Sequence, residues 1–321
     1  MFLDQFEEME SICIQCHDGP DADTIGAGFA LYDYFEKKGK RVSLIYSGMH
    51  KITKPSLQIM VNELEIPLVY VSEAPECELL LTVDCQYRGG NVTVFPAEKI
   101  GVVDHHPRCI PEPDFCYIRS DYGSCCTVVW ELLKEKGYDA NANKHVATAL
   151  YYGLYSDTGQ FSEIYSAQDK TMRDELKIDR EVMDEMVTSN LSRRELCIAG
   201  EALRDHINNG EYRYALVSTE PCDPNRLGVI CDLVNQVATI DACVVYNETA
   251  TGYKLSVRCA KQVGASRLAD ALTKDIGTGG GHANKAGGMI MKKLIQSHYG
   301  KMDIADILNR RMQDYMREHM R

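Results

Sequence analysis

Residues able to do chemistry gather at four places along the chain. The first is His17-Asp18-Gly19-Pro20-Asp21-Ala22-Asp23, where one imidazole and two carboxylates two positions apart can converge on a hard divalent cation. The same acids also suit a helix N-terminus, because Asp23 precedes Thr24-Ile25. The second is Asp84, which ends the apolar run Leu79-Leu80-Leu81-Thr82-Val83. The third is Asp104-His105-His106-Pro107, after Ile100-Gly101-Val102-Val103. Adjacent histidines at the exit of a buried strand are costly to desolvate unless used, and the preceding acid offers a partner for an imidazole N–H. The fourth is Ser156-Asp157-Thr158-Gly159, at the end of an apolar helical run. As a set, His17, Asp21, Asp23, Asp84, Asp104, His105 and Asp157, with His106 beside them, can hold two cations that share a bridging carboxylate. Two divalent ions ~3.5–4 Å apart form the clamp used for phosphoryl and nucleic-acid hydrolysis. Oxygen and imidazole donors without thiolates favour Mn²⁺ or Mg²⁺ over structural zinc.

These clusters need elements that deliver them to one place. SICIQC (11–16) reads as a buried strand, 24–38 as an amphipathic helix, RVSLIYS (41–47) as a second strand and 56–64 as a helix. Three more apolar runs end near residues 71, 85 and 105. Such alternation predicts crossover units and a parallel sheet covered on both faces. Ligands collect at the carboxyl ends of such strands, which is where this sequence places its acids and histidines. From about residue 124 the pattern turns helical, and Asp121-Tyr122-Gly123-Ser124-Cys125-Cys126 reads as a packing or capping segment for the helix after it. SRRELCIAGEALRDHI (192–207) reads as a connecting helix. Beyond it come three strands, two helices, a glycine-rich turn (GTGGGHANKAGG), a last strand (MIMKK) and a helical tail. The predicted class is α/β: a parallel-sheet N-terminal domain over 1–190, a linker helix over 191–207 and a smaller mixed α/β C-terminal domain over 208–321.

The whole chain narrows the setting. Its 321 residues suffice for two domains, and 45% hydrophobic with 26% charged residues is ordinary globular composition. A net charge of −12 argues against an extended footprint on long duplex nucleic acid, though bound cations can still admit a small anion. No apolar stretch approaches the ~18 residues of a membrane span, and the acidic start lacks a secretory pattern. The 13 cysteines read as reduced thiols, which predicts a cytoplasmic protein with no membrane attachment. Cys13-Ile14-Gln15-Cys16-His17 formally matches a haem attachment pattern, but it lies in a central strand and the acids after His17 account for that residue better.

His17-x-x-x-Asp21-x-Asp23, Asp84, Asp104-His105-His106 and Ser156-Asp157-Thr158-Gly159 resemble the four motifs of the DHH phosphoesterase superfamily, in the family's order. Gly279-Gly280-Gly281-His282 resembles the signature of the DHH-associated C-terminal domain, and Ser256-Val257-Arg258 its serine-any-arginine element. The resemblance implies one metal on His17, Asp21 and Asp84, and another on Asp23, Asp84, His105 and Asp157. By the same resemblance Asp104 orients a ligand histidine and His106 faces the substrate phosphate as hydrogen-bond donor or general acid. Arg258, His282 and the backbone of Gly279, Gly280 and Gly281 hold the substrate's other end. The implied activity is Mn²⁺-dependent hydrolysis (Mg²⁺ or Co²⁺ being alternatives) of short oligonucleotides or linear dinucleotides by a two-metal-activated water. Cyclic di-AMP or 3′-phosphoadenosine-5′-phosphate are alternative substrates, and a non-catalytic nucleotide sensor is the alternative of another class. The resemblance also admits a homodimer. Two details depart from the pattern: Gly26-Ala27 replaces glycine-serine, and the GGGH turn continues as Ala283-Asn284-Lys285-Ala286-Gly287-Gly288 rather than with arginine and paired alanines.

Overall fold

The computed structural model describes residues 2–319 except 112, 165, 190–192, 205, 223 and 261. The chain divides into two compact units, Met1–Leu191 and Ser192–Arg321. The expected boundary at 190–191 lies outside the described residues.

The first unit runs β1 (Ser11–Cys16), α1 (Ala22–Lys37), β2 (Arg41–Tyr46), α2 (Pro55–Glu63), β3 (Leu68–Tyr70), β4 (Leu79–Val83), β5 (Lys99–Asp104), β6 (Phe115–Ile118), α3 (Cys125–Glu135), α4 (Lys144–Asp157), α5 (Ala167–Glu175) and α6 (Arg180–Thr188). Its six strands lie in the order β3-β2-β1-β4-β5-β6 with every pairing parallel. Strands β1 and β4 are buried along their whole length, as central strands of a sheet covered on both faces must be. The strand order reverses between these two neighbours. In sheets of this kind ligands bind beside such a reversal, at the carboxyl ends, because the crossovers on either side leave in opposite directions. On one face α1, α3 and α4 pack tightly, and glycine makes this contact feasible. A Cβ at Gly26 would stand 2.6 Å from the Ala149 carbonyl oxygen, and one at Gly153 would stand 2.3 Å from Cys126 Sγ.

The second unit runs α7 (Arg193–Arg204), β7 (Ile207–Asn209), β8 (Tyr214–Thr219), α8 (Pro224–Val234), β9 (Ala242–Glu248), β10 (Gly252–Cys259), α9 (Ala265–Thr273), β11 (Gly277–Gly281), β12 (Lys285–Met291), α10 (Lys292–Tyr299) and α11 (Ile304–His319). The sheet order is β11-β12-β10-β9-β8-β7, mixed, with β8 and β9 parallel and the other pairs antiparallel. Alternate residues serve two cores: Tyr214, Leu216, Val244 and Tyr246 join α9 and α11 residues, whereas Ala215, Val217, Cys243 and Val245 join Leu227, Ile230 and Val234 of α8. That two-fold alternation is the expected period of a strand.

The structure thus has the expected α/β class, with a parallel sheet first and a mixed sheet second. It differs in detail. The glycine-rich stretch is strand β11 rather than a turn, because Gly277–Gly281 pairs along β12. Lys292 and Lys293 begin a helix instead of extending the last strand. The connecting helix stops at Arg204, and Ile207 is already in a strand. The edge strand β6 is an element the sequence pattern did not single out, since none of its four residues is fully buried.

Candidate metal centre

Asp21 is both a cap and a face of the site. Its Oδ1 accepts from the backbone N–H groups of Asp23 (3.0 Å) and Thr24 (3.2 Å) at the start of α1, and lies 3.6 Å from His17 Nε2. The cap of α1 is thus Asp21, and Asp23, which the sequence suggested for that position, lies inside the first turn. Asp23, 1% exposed, is held differently: Cys125 N–H donates to its Oδ2 (2.6 Å) and Cys126 N–H to its Oδ1 (2.8 Å). Those two amides open α3, whose Ser124 cap accepts from Thr127 N–H at 3.1 Å. A helix N-terminus offers unpaired N–H groups and a positive end of its dipole, which is why a buried carboxylate can rest there.

Asp84 leaves β4 with φ of +59°, a left-handed turn that a side chain adopts at a cost of about 1–3 kcal/mol. The turn faces its carboxylate toward three imidazoles. Oδ2 lies 3.7 Å from His17 Nε2, while Oδ1 lies 3.4 Å from His105 Nε2 and 3.6 Å from His106 Nδ1. Asp84 is 3% exposed, and its Oδ1 is buried with no hydrogen-bond donor. His105 Nε2 also stands 3.2 Å from Asp157 Oδ2 and 3.8 Å from Asp23 Oδ2, and its Nδ1 meets the Tyr122 carbonyl at 3.2 Å. Asp157 is the last residue of α4, where Thr158 Oγ1 donates to the Leu154 carbonyl and closes the helix.

Three overlapping sets of potential ligands result: His17-Asp21-Asp84, Asp23-His105-Asp157 and Asp84-His105-His106. All six expected metal ligands thus come together, with Asp84 between the sets. Asp104 Oδ1 lies 2.9 Å from His106 Nδ1 and also accepts from the His105 N–H at 2.8 Å. The sequence reading missed Gln86, whose side chain donates to Asp104 Oδ2 at 2.8 Å, and the α3 amides that hold Asp23. Ser124 ahead of an apolar helical run was the available signal for the latter; nothing in the sequence marked Gln86.

The electrostatics fit a cation-filled site. Burial, then repulsion from Asp157, raises Asp23 to about 6. Burial, followed by the charges of Asp23, Asp21, Asp157 and Asp104, pushes Asp84 well above the usual carboxylate range. At His17 burial opposes protonation, but the hydrogen bond and charge of Asp21 outweigh it and raise the imidazole. So many buried acids cannot ionise together without positive charge among them. The nearby thiols do not compete as donors: burial raises Cys16 to about 12 and holds Cys125 and Cys126 well above their ordinary value. Carboxylates, imidazoles, neutral thiols and an orphaned Asp84 oxygen together suit hard or borderline divalent ions.

In the second unit, Arg258 projects from β10 and donates from Nε to Asp232 Oδ1 (2.5 Å) and from Nη1 to Ser256 Oγ (3.3 Å). Asp232, on α8, is a partner the sequence reading did not find. Arg258 lies directly opposite Lys285 on β12, and His282 N–H donates to the Lys285 carbonyl at 2.7 Å. The three glycines divide in role. A Cβ on Gly279 would stand 2.5 Å from the Ala269 carbonyl oxygen, so that glycine serves packing against α9. Gly281 has φ of +147°, and Gly280 has open space around its Cα.

Residues 11–154 match the DHH family, N-terminal domain. Among curated relatives, the bifunctional oligoribonuclease and PAP phosphatase NrnA of Bacillus subtilis is 24% identical over 155 residues, 47% of each chain. The chain also matches 60% of a protein from Methanocaldococcus jannaschii at 24% identity, so it spans only about half the length of these relatives. Among solved structures, an exopolyphosphatase-related protein from Bacteroides fragilis superposes with a TM-score of 0.79 at 18% identity, covering 100% of this chain and 96% of that one. RecJ of Thermus thermophilus in complex with Mn²⁺ gives 0.57 at 14% identity, covering 99% of this chain and 53% of its own. At such identities these structures establish the shared fold. Among the described residues no helix is long and apolar enough to cross a membrane.

Proposed function

We propose that the chain is a divalent-metal-dependent phosphodiesterase that hydrolyses short oligonucleotides or linear dinucleotides of the pApA or pGpG kind to mononucleotides. The observation that carries this reading is Asp84, whose two oxygens face separate ligand sets and whose Oδ1 is buried without a donor. His17, Asp21 and Asp84 would hold one cation, and Asp23, Asp84, His105 and Asp157 the other. When bound, such a pair neutralises phosphate charge and lowers the pKa of water. The protein's own residues supply the rest. The α3 amides fix Asp23 and offset part of the rise that burial gives its pKa, while Asp104 accepts from His106 Nδ1–H and favours the protonated imidazole, which would give its Nε2 proton to the departing oxygen. Arg258 and His282 would bind the substrate's far end, a guanidinium suiting phosphate oxygens. The oligoribonuclease activity in the B. subtilis relative's name supports the substrate class. The acidic balance of the chain disfavours long nucleic acid.

The test is hydrolysis by the purified protein with Mn²⁺, Mg²⁺ or Co²⁺, each repeated with chelator. The substrates would be pApA, pGpG, a five-nucleotide RNA, cyclic di-AMP, 3′-phosphoadenosine-5′-phosphate and pyrophosphate. Chelator-sensitive release of mononucleotide, fastest from pApA or pGpG, is the expected result. Turnover of pyrophosphate alone, or metal binding with no turnover of any substrate, would reject the reading.

A further inference from the structure

Gln86 belongs to none of the ligand sets, yet it is 3% exposed and its amide is fully engaged. Nε2 donates to Asp104 Oδ2 (2.8 Å) and to the Pro107 carbonyl (3.1 Å), while Oε1 accepts from Cys109 N–H (2.8 Å). The amide has one tenable orientation. Reversed, it would set its oxygen against a carboxylate and a carbonyl, and its N–H groups against the Cys109 N–H. Asp104, 1% exposed, is saturated in turn. Gln86 takes Oδ2, and Oδ1 accepts from His105 N–H (2.8 Å), His106 N–H (3.2 Å) and His106 Nδ1 (2.9 Å). An ionised carboxylate only accepts hydrogen bonds, so this arrangement requires the hydrogen on Nδ1 of His106.

We infer that Gln86 is a positioning residue. By clamping Asp104 Oδ2 and the backbone of Pro107 and Cys109, it fixes the rotamer of Asp104, and through it the tautomer and ring plane of His106. The catalytic consequence rests on the phosphodiesterase reading above; the tautomer does not. Gln86 is also two residues beyond Asp84, so one short loop carries both the central ligand and the clamp that orders the neighbouring histidine. Buried polar networks of this kind specify a geometry only while every member is satisfied.

Two variants test the inference. Gln86→Glu keeps an acceptor for Cys109 N–H but loses the donor to Asp104. Gln86→Met fills similar space without either. In both, ¹⁵N shifts of the His106 ring in the full-length chain, read at a pH where the ring is neutral, should change from a single Nδ1–H form to a mixture of tautomers. With pApA and Mn²⁺, kcat should fall roughly 10–100-fold while KM stays within about twofold and bound Mn²⁺ is unchanged. In a His106→Ala background, Gln86→Met should add less than about a twofold further loss, because coupled residues are not additive. Unchanged tautomer and kcat would overturn the proposal. Losses of kcat that track equal losses of bound Mn²⁺ or of secondary structure would also overturn it, assigning Gln86 to loop folding. A wild-type chain that hydrolyses nothing, with the tautomer still shifting in both variants, would reject the phosphodiesterase reading and leave the clamp standing.

Discussion

At the scale of single residues, the centre is a balance between burial and charge. Asp84 is the extreme case, held in a left-handed turn with one oxygen lacking any donor and with four other acids raising its pKa. A carboxyl raised in the folded state retains a proton that the unfolded chain has lost. Metal-free stability therefore falls as pH rises above the ordinary aspartate value of about 4. Asp84→Asn removes that burden while deleting the shared ligand. At pH 8 in chelator this variant should melt several degrees above wild type, at roughly 2–4 °C per kcal/mol for a chain of this size. With Mn²⁺ it should bind less metal and lose more activity than the ~10–100-fold typical of an outer partner. Thermal unfolding with and without chelator, alongside metal analysis, checks both parts. A variant less stable than wild type in chelator would contradict this electrostatic account.

At the scale of elements, the candidate ligands are only as well placed as α1 and α4, which carry Asp23 and Asp157 at their ends. Gly26 and Gly153 let these helices approach, and Asp33 ties them together. Its carboxylate, 7% exposed, pairs with Lys37 at 2.7 Å, accepts from Asn143 Nδ2 at 2.7 Å and takes the hydroxyl of Tyr138. Asn143 is the N-cap of α4 and Tyr138 follows α3, so one acid on α1 grips the connection between the other two helices. Burial opposes its ionisation, but the bonds from Lys37, Tyr138 and Asn143 outweigh this and lower its pKa. A lowered carboxyl stabilises the fold above the unfolded value, near 4, and that contribution is lost as pH falls through the folded value. Asp33→Asn should therefore cost about 1–3 kcal/mol at pH 7, the scale of hydrogen bonds to a charged group, with the deficit shrinking below pH ~4. Denaturant melts at pH 7 and pH 3 measure it; an equal deficit at both would mean that packing, not charge, holds these helices.

At the scale of the whole molecule, the two units have separate cores, and among the described residues the candidate ligand sets all belong to the first. Ligand binding stabilises what it touches by about 2.7 kcal/mol at a hundredfold excess over Kd. Adding Mn²⁺ should accordingly slow amide exchange in residues 16–24, 83–86, 103–107, 124–127 and 154–159 and leave 208–319 near their metal-free rates. Equal slowing in both units would show the ions to be seated elsewhere. The sequence alone determined the fold class and marked the candidate ligands: His17, Asp21, Asp23, Asp84, His105 and Asp157 stand at the ends of strands and a helix whose periodicity is strong. It determined these because residue type and strand ends are local properties, readable within a few positions. It also announced Arg258 and the glycine motif, but not that the glycines form an edge strand or that Asp232 grips the arginine. Those depend on partners 26 residues away or on a neighbouring strand. Asp23 reaches further still, its carboxylate resting on amides 102 and 103 positions further along the chain. Only the tertiary structure decided such pairings, because a hydrogen bond between distant segments depends on how the sheet and helices close and leaves no period or spacing in the sequence.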